Sequence, residues 1–418
     1  MQASRILASW LATRRAMLLS AGGLARRRER LWERLQPTLR RTPALVPHAG
    51  SRLEDIPVVE PAALRDDYGR WNSLGLPHEA LHAAAEAAEA GGSGEVLPGI
   101  VAGYSTGGSG PRGIFLAGAA ERADYIGQSL ARLVPLRALG RLCRIALFLR
   151  ANSRLYSDVG GGRVSFAHFA LDQRLSDSAR ALEDFQPTIL VAPSHRLVEI
   201  ACAIRAGSLA LGDLKQCFFG AEPMSEPERD WAEETLRLRP QPIYQATEGF
   251  LGAACRHGRL HLNEHSLAIE LEPVAGTSGF RPIVTDLLRK SQPVVRVRLD
   301  DFLELEPGAC PCGYAGRTIL PVAGRVTDLW RYGNRVVTPR DVADRLDAML
   351  GVPSSWQADA SPARAVVKLD PACTAAFPPE TASRLRERLG LPVPVEIRVE
   401  PVDLPWPKRR RVRWHEHD

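Results

Sequence analysis

The chain has 418 residues, with 54 Lys and Arg against 48 Asp and Glu, which gives a formal net charge of +6. This length exceeds what one typical core serves, so two or three domains are expected. Hydrophobic residues make up 45% and charged residues 24%, which argues against disordered, fibrous and disulfide-scaffold proteins. No apolar run approaches the roughly 20 residues that span a bilayer, so no membrane partner is expected. An odd number of cysteines, 7, argues against a secreted disulfide framework.

The first 50 residues are rich in arginine and in helix-forming residues. Arg14 and Arg15 precede a short apolar run, as in a twin-arginine export signal, but three more arginines at 26–28 follow where a cleavage site belongs. The pattern therefore predicts a basic helix over residues 6–35, within a basic helical lead-in over 1–50. It favours a cytoplasmic protein.

Strand-length apolar runs alternate with helical patterns along the middle of the chain. Strands are predicted at 144–149, 188–192 and 216–220, and helices at 79–90 and 196–206. This alternation is typical of βαβ units on a buried, largely parallel sheet, so an α/β fold is expected. Later alternating segments predict antiparallel strands at 267–271 and 294–299, and a last unit carries a helix at 379–389.

A loop over residues 104–113 is dense in serine, threonine and glycine, with the sequence Tyr-Ser-Thr-Gly-Gly-Ser-Gly-Pro-Arg-Gly. Such a loop presents backbone N–H groups and hydroxyls together, and glycine permits the left-handed turns that point them toward a phosphate. From this segment alone, phosphate binding and a flexible surface loop are equally open. The segment matches neither the P-loop nor the Gly-x-Gly-x-x-Gly dinucleotide motif.

Four further short motifs follow in order. They are Phe-Gly-Ala-Glu-Pro at 219–223, Tyr-Gln-Ala-Thr-Glu-Gly at 244–249, Arg-Val-Arg-Leu-Asp-Asp at 296–301 and Ala-Gly-Arg-Val-Thr-Asp at 323–328. Each is weak alone, but their order resembles that of the acyl-adenylate-forming superfamily of acyl-CoA synthetases, adenylation domains and luciferases. More narrowly, it resembles the branch of phenylacetate–CoA ligase-like and coenzyme-F synthetase-like proteins. The similarity starts at the Leu-Glu-Asp-Ile-Pro of 53–57 and ends at Lys408.

This resemblance implies a fold and an activity. A large N-terminal adenylating domain, with mixed sheets and flanking helices, would cover residues 1–325, and a small mobile α+β domain would cover 326–418. The implied reaction is ATP-dependent activation of an aromatic or other acyl carboxylic acid to acyl-AMP, with release of pyrophosphate. The acyl group would then pass to a thiol, with CoA as the first expectation and a carrier protein or an amine as alternatives.

The matched motifs also imply roles for individual residues. The ATP phosphates would be held by Ser105, Thr106, Gly107, Gly108, Ser109 and Gly110. The adenine pocket would be lined by Gly220, Ala221, Glu222, Pro223 and Tyr244, with Gln245 as a further cofactor-binding residue. Thr247 would lie near the α-phosphate, and Glu248 would bind Mg²⁺ as a hard oxygen ligand. Asp301 would accept the ribose hydroxyls, and Arg325 would lie near ribose and phosphate.

Lys408 matches the catalytic lysine near the family's C-terminus, which stabilises charge during adenylation. The alternative is a generic basic tail, because four arginines follow closely: Arg409, Arg410, Arg411 and Arg413. Those arginines could meet an anionic acceptor such as CoA.

Two positions depart from the family pattern. The phosphate loop continues with Pro111 and Arg112 instead of lysine and proline, and Arg112 is a candidate for the missing charge. Thr327 replaces the first hinge carboxylate, which puts domain alternation and the transfer step in question. A degenerate fold that binds nucleotide without turnover therefore remains an alternative.

Four residues in the middle of the chain form a candidate metal site: Cys255, His261, Cys310 and Cys312. Three thiolates and an imidazole suit a closed, structural, tetrahedral Zn²⁺ site. The resemblance implies the same, since that branch carries a Cys and a Leu-His followed by Cys-x-Cys-Gly and holds zinc in some members. His257 is an alternative ligand, and free buried cysteines are the alternative to a site.

Three further expectations concern partners and substrate. Nucleic-acid binding has only the arginine-rich ends in its favour and is not expected. A homodimer stays open. The identity of the acid is not encoded in one sequence, but its pocket is expected over residues 151–172 and 244–251.

Overall fold

A computed structural model describes residues 2–105, 112–134, 142–149, 164–371, 380–402, 404 and 409–416. Within these ranges the helices are α1 (Gln2–Ala16), α2 (Ala21–Leu39), α3 (Pro61–Asp66), α4 (His78–Glu89), α5 (Ala119–Leu133), α6 (Leu175–Phe185), α7 (Ser194–Arg205), α8 (Glu226–Leu236), α9 (Pro339–Leu350) and α10 (Thr381–Leu389).

The strands of the first two thirds are β1 (Glu95–Leu97), β2 (Ile100–Tyr104), β3 (Ile114–Gly118), β4 (Cys143–Leu149), β5 (Val164–Ala170), β6 (Ile189–Pro193), β7 (Gln216–Gly220), β8 (Gln241–Ala246), β9 (Gly249–Ala254), β10 (Leu260–Leu262), β11 (Leu267–Pro273) and β12 (Phe280–Asp286). Those of the last third are β13 (Val297–Arg298), β14 (Thr318–Ile319), β15 (Trp330–Tyr332), β16 (Arg335–Val337), β17 (Trp356–Ala360), β18 (Ala365–Leu369), β19 (Val395–Val399) and β20 (Val412–Trp414).

The main sheet has the strand order β14-β10-β9-β8-β7-β6-β4-β5. Strands β5, β4, β6, β7 and β8 are parallel, whereas β8, β9, β10 and β14 pair antiparallel. Helices α6, α7 and α8 alternate with the parallel strands, because such strands need a crossover between them. The predicted α/β architecture and the three predicted strands of this region are confirmed.

A second, smaller core belongs to the C-terminal part. Strands β19-β18-β17-β20 form a mixed sheet, against which α9 and α10 pack. Its core includes the fully buried Trp330, Leu346, Trp356, Val367 and Leu385. The fold therefore has the predicted large N-terminal and small α+β C-terminal domains. The boundary between residues 325 and 326 stays a prediction, as does the mobility of the small domain.

Two predicted elements differ from the structure. The basic helix over 6–35 is two helices, because a turn at 17–20 separates them and the Ser20 Oγ caps α2 by accepting from the Gly23 N–H at 3.3 Å. The strand predicted at 294–299 shrinks to β13. Arg296 adopts a left-handed conformation (φ 47°), which interrupts the extended chain just before it.

The arginine-rich lead-in packs against the large domain. In α1, Arg5 forms an ion pair with Asp124 of α5 at 2.6 Å, and the Ser9 hydroxyl donates to the Asp124 carbonyl at 2.8 Å. In α2, Arg27 donates to the His265 carbonyl at 2.7 Å. These arginines therefore bind the fold itself. Among the described helices, none is both long and apolar enough to cross a membrane.

The contact between α1 and α5 depends on the missing side chain of Gly127. A Cβ at this position would lie 2.6 Å from the Ile6 carbonyl oxygen and 2.7 Å from the Ser9 Cβ. We expect Gly127→Ala to destabilise the protein by about 1 to 3 kcal/mol, because neither backbone can move without loosening the helix pair. Urea unfolding measures the change.

The matched control is Gly22→Ala in α2, where the nearest atom to the added Cβ is Arg26 Nη1 at an ordinary 3.6 Å. That variant should be as stable as the parent, or up to about 1 kcal/mol more stable, because alanine favours a helix over glycine. Equal effects of the two substitutions would contradict the tight contact.

Candidate active site

A cavity of about 560 Å³ opens at the carboxyl ends of β6, β7 and β8. This is where ligands bind in open α/β sheets, because the loops that follow parallel strands meet at that edge. The volume lies within the range of small-molecule and cofactor sites. A cavity large enough for a cofactor thus lies at the strand ends where the sequence motifs are found.

Most of the motif residues predicted to bind nucleotide line this cavity. They are Ser105, Gly220, Ala221, Glu222, Pro223, Tyr244, Gln245, Thr247, Glu248, Asp301 and Arg325. The predicted phosphate-loop residues Thr106, Gly107, Gly108, Ser109 and Gly110, the departure Pro111 and the predicted catalytic Lys408 lie outside the described residues. The roles of all these residues stay predictions.

Arg112 does not line the cavity. Its guanidinium pairs with the Glu89 carboxylate at 2.9 Å and lies 4.2 Å from the centre of the Tyr104 ring. Both partners do line the cavity. The guanidinium of Arg112, the candidate replacement for the phosphate-loop lysine, is therefore bound to an acidic residue of the cavity wall.

The segment after β7 adopts an unusual backbone conformation. Ala221 has φ 69°, which is rare for a residue with a Cβ and which occurs most often at functional sites. This turn lets both Ala221 and Glu222 line the cavity. The Phe-Gly-Ala-Glu-Pro motif therefore forms part of the cavity wall, as its match to the adenine pocket implies.

Tyr244 and Asp301 form a hydrogen-bonded pair in the cavity wall. The Tyr244 hydroxyl donates to Asp301 Oδ2 at 2.7 Å, and the tyrosine is buried. Burial and the Asp301 carboxylate hold the pKa of Tyr244 well above its usual value. Tyr244 therefore stays a neutral donor that orients the carboxylate predicted to bind ribose.

The hinge motif also meets this site. The Thr327 hydroxyl donates to Asp300 Oδ2 at 2.5 Å, next to the predicted ribose carboxylate Asp301. A second carboxylate in place of Thr327 would repel Asp300, so the threonine suits its neighbour. Asp328, which is 3% exposed, pairs with Arg410 at 2.9 Å. The substituted hinge residue thus has a defined partner.

Glu222 is a cavity carboxylate with several hydrogen-bond partners. It accepts from the Ser194 hydroxyl at 2.8 Å, the His195 N–H at 2.9 Å and the Arg409 N–H at 2.9 Å, and its Oε1 lies 2.6 Å from His195 Nδ1. Burial by itself would raise the pKa of Glu222. The charge of His195 and these hydrogen bonds outweigh burial and lower that pKa to about 2.

Sequence reasoning missed Ser194 and His195. The signal was present, since both follow the buried strand β6 directly and open α7 at the carboxyl edge of the sheet. It also did not foresee that the arginines of the tail bind carboxylates of the chain itself. Those ion pairs are Arg409–Glu199, Arg410–Asp328, Arg411–Glu228, Arg411–Asp347 and Arg413–Asp359. In this conformation carboxylates of the chain compensate these arginines, and their contact with an anionic acceptor such as CoA stays a prediction.

Asp286 is a further carboxylate of the cavity to which sequence reasoning gave no role. It lines the cavity, and its Oδ1 accepts from the N–H groups of Leu288 at 2.9 Å and Arg289 at 3.2 Å. Burial raises the pKa of Asp286 to about 6, against the lowering effect of those hydrogen bonds and of the Arg289 charge.

A small apolar chamber of about 40 Å³ adjoins the cavity and shares Tyr125, Val191, Ile243 and Gln245 with it. Most other lining residues are aliphatic or aromatic side chains of α5 and of the main sheet: Ile126, Leu130, Leu133, Ile145, Leu147, Phe166, Ile189 and Phe250. The acid pocket was expected to include residues 151–172. Of the described residues in that range, Phe166 lines this chamber and Leu171 lines the main cavity. Residues 151–163 lie outside the described part of the chain.

The four candidate metal ligands lie together at the antiparallel edge of the main sheet. The ligand atoms of Cys255, His261, Cys310 and Cys312 are all within 4.8 Å of one another. His261 Nδ1 lies 2.8 Å from the Gly316 carbonyl oxygen, which can only accept, so Nε2 is left to face Cys312 Sγ at 3.4 Å. His257 is exposed and outside this group.

Solved structures of ligases match this chain. The 2-hydroxyisobutyryl-CoA ligase in its postadenylation state matches with a TM-score of 0.68 at 18% identity, over 96% of this chain and 91% of that one. The anthranilate CoA ligase AuaEII, in complex with anthranoyl-AMP, matches at 0.53 and 14%, over 75% and 66%. The amide bond synthetase McbA from Marinactinospora thermotolerans matches at 0.51 and 14%, over 74% and 66%.

This chain has the fold of the adenylate-forming ligases. The fold expected from the motif order is thereby confirmed, while the phenylacetate–CoA ligase-like branch stays a prediction. For the 2-hydroxyisobutyryl-CoA ligase in its thioesterification state, the TM-score is 0.56 over the same shares of both chains. The postadenylation state thus matches with the higher TM-score. No protein-family model matches the sequence, and no curated protein matches it either.

The raised pKa of Asp286 predicts how stability depends on pH. The folded state binds the proton of this carboxyl more tightly than the unfolded chain, whose pKa is near 3.8. The stability of the parent should therefore fall as pH rises from about 4 to 6, with the full cost present above pH 6. Asn at this position keeps the Oδ1 acceptor but cannot ionise.

Relative to the parent, Asp286→Asn should gain up to about 3 kcal/mol of stability between pH 4 and pH 7.5. Urea unfolding across this pH range measures the difference. A difference between the two proteins that does not change with pH would contradict the raised pKa.

Proposed function

We propose that the protein is an adenylate-forming ligase that activates a carboxylic acid with ATP and then transfers the acyl group to an acceptor. The observation that supports this most is that motif residues from five separate segments line one cavity: Ser105, 220–223, 244–248, Asp301 and Arg325. The fold, shared with acyl-CoA ligases, supports the same reaction. A degenerate protein that only binds nucleotide remains the second candidate.

The chemistry follows from the charges that face the cavity. The acid's carboxylate would attack the α-phosphorus of ATP, and pyrophosphate would leave. Thr247 and the loop at Ser105 would position the phosphates, and the pair of Tyr244 and Asp301 would hold the ribose. The carboxylate of Glu248 fits Mg²⁺, a hard cation that in such reactions neutralises charge on the phosphates.

The acid is proposed to be largely apolar at the end remote from its carboxylate. The chamber beside the cavity is walled by aliphatic and aromatic side chains, with Ser129 and Gln245 among its few polar groups. A hydrophobic wall favours an acyl or aryl tail over a charged one, because a buried unpaired charge is costly. This fits the aromatic or acyl acid implied by the motifs.

CoA is the proposed acceptor, and a carrier-protein thiol or an amine is the alternative. The matched 2-hydroxyisobutyryl-CoA ligase and AuaEII are CoA ligases, which supports CoA, whereas McbA is an amide bond synthetase, which supports an amine. A cytoplasmic location is part of the proposal, in keeping with the reactants. A homodimer stays open.

ATP–pyrophosphate exchange with Mg²⁺, across a panel of aryl, fatty and amino acids and without an acceptor, tests adenylation directly. We expect exchange with one class of acid. Glu248→Gln should lower that exchange on the order of 10-fold or more, because the variant loses the charged oxygen ligand for the metal. Glu234→Gln, an exposed residue of α8 away from the cavity, is the matched control and should behave as the parent.

If the parent shows no exchange with any acid but binds ATP by calorimetry, the nucleotide-binding candidate replaces the ligase. Equal activity of Glu248→Gln and Glu234→Gln would remove Glu248 from the proposed metal site.

We further propose that Cys255, His261, Cys310 and Cys312 bind a structural Zn²⁺. Thiolates bound tetrahedrally to one zinc at about 2.3 Å lie about 3.8 Å apart, and the Cys255 and Cys310 sulfurs are 3.6 Å apart. The Gly316 carbonyl fixes the His261 ring with Nε2 toward the sulfurs, as the partners of metal-bound histidines do. Four protein ligands would leave no open position for substrate.

Metal analysis of the purified protein by mass spectrometry should find about one zinc per chain. Cys310→Ser and Cys312→Ser should lose the zinc and melt at a lower temperature, because the hairpin edge of β9, β10 and β14 loses its cross-link. Cys202→Ser, on α7, is the control and should keep it. Zinc in none of these proteins, or equally in all, would refute the site.

A further inference from the structure

We propose that the C-terminal tail segment Arg409–Arg411 docks between the two domains and holds the arrangement used for adenylation, with Glu222 and Glu228 as its positioning residues on the large domain. This inference rests on the proposed function. It concerns which residues favour one half-reaction over the other, and none of the motif matches assigns that task.

The first contact is made by the backbone of the tail. Glu222 Oε2 accepts from the Arg409 N–H at 2.9 Å, while Oε1 is taken up by Ser194 and His195 at the start of α7. Glu222 therefore joins three segments: the cavity wall after β7, the first turn of α7 and the tail. Because its pKa is lowered to about 2, the carboxylate is charged at neutral pH and remains a strong acceptor.

The second contact is an ion cluster shared by both domains. Arg411 lies 3.1 Å from Glu228 of α8 in the large domain and 3.4 Å from Asp347 of α9 in the small domain. Its guanidinium also lies 4.4 Å from the centre of the Trp356 ring. One arginine thus compensates two buried acids that belong to different domains.

Helices α8 and α9 meet directly beside this cluster. The Ser225 hydroxyl donates to Asp347 Oδ2 at 2.7 Å, and the Glu226 N–H donates to Asp344 Oδ1 at 2.8 Å. The small-domain acids thus bind the N-terminal end of α8, where the helix dipole favours negative charge. A rotation of the small domain would break all of these contacts at once.

The position of the tail along the chain gives the contacts their functional meaning. Arg409 directly follows Lys408, the predicted catalytic lysine, and Glu222 lines the proposed nucleotide cavity. The postadenylation state of the 2-hydroxyisobutyryl-CoA ligase matches this chain with a higher TM-score than its thioesterification state. Glu222 and Glu228 therefore act through the tail and contribute to adenylation by placing it.

Glu228→Gln tests this in the full-length protein. The glutamine keeps the hydrogen bond that Glu228 makes to the Ser225 N–H at 3.0 Å, so the start of α8 is preserved, but its attraction to Arg411 is lost. Hydrogen–deuterium exchange of peptides that cover 409–416 and α9 reports opening without any substrate. We expect exchange on the order of 10-fold faster, because half of a buried ion pair is removed.

The matched control is Glu233→Gln on the same helix, whose carboxylate pairs with Arg239 of the same domain at 2.7 Å. Its exchange in the tail should equal that of the parent. Arg411→Lys keeps the charge but not the two-armed guanidinium, and it should lie between the parent and Glu228→Gln. Unchanged exchange in Glu228→Gln, or an equal increase in Glu233→Gln, would overturn the inference.

A kinetic experiment on the two half-reactions uses the acid that supports pyrophosphate exchange. Glu228→Gln should lower kcat for exchange about 5- to 10-fold with little change in KM for ATP, because the residue acts on the tail and not on the nucleotide. Transfer from preformed acyl-AMP to CoA should be unchanged or faster. Equal loss in both half-reactions would overturn the positioning role. If no acid supports pyrophosphate exchange but the tail of Glu228→Gln still opens faster, the proposed function is refuted while the docking of the tail is not.

Discussion

The need to compensate buried charge governs the interior of this protein. Glu222, Arg411, Asp347 and Asp328 all lie where water is largely excluded, and each has a charged or hydrogen-bonding partner on another segment. Removing one partner of such a pair costs more than the pair contributes, since the remaining charge stays buried. Each buried charge must therefore have its partner in place in the folded protein, and this requirement determines how the two domains meet.

The large domain satisfies the same requirement around its cavity. Tyr244 compensates Asp301, Thr327 compensates Asp300, and the N–H groups of Leu288 and Arg289 compensate Asp286. A cavity lined by several carboxylates without such donors would bind protons, because neighbouring acids raise one another's pKa. The donors fix the orientation of these carboxylates and offset part of the effect of burial, which still raises the pKa of Asp286 to about 6.

Much of the fold could be predicted from the sequence, because the strands of the main sheet are short apolar runs bounded by helical patterns. β4, β6 and β7 were located in this way, and so was α7. The break between α1 and α2 was missed although the sequence carries a signal for it, since Ser20 is a typical N-cap residue and Gly22 and Gly23 weaken the helix just after it. The left-handed Arg296 was hidden, since its conformation depends on partners at Glu270 and Ile56, distant in sequence.

The candidate site also has a part that could be predicted from the sequence and a part that could not. Its motif residues could be named in advance because a family resemblance fixes their order, and the donor set of the cysteine cluster follows from residue chemistry alone. The bonding of Glu222 to Ser194 and His195, and the pairing of the tail arginines, could not be named. Both depend on which segments the fold brings together, and a single sequence carries no direct record of such long-range pairs.

The docking of α1 has a consequence for the cavity itself. Asp124, which α1 holds through Arg5, is also a residue of the cavity wall. The helix therefore supports α5 at a residue that also faces the cavity. Displacing α1 would therefore release the Asp124 carboxylate from Arg5 and change one side chain of the cavity wall together with the helix pair.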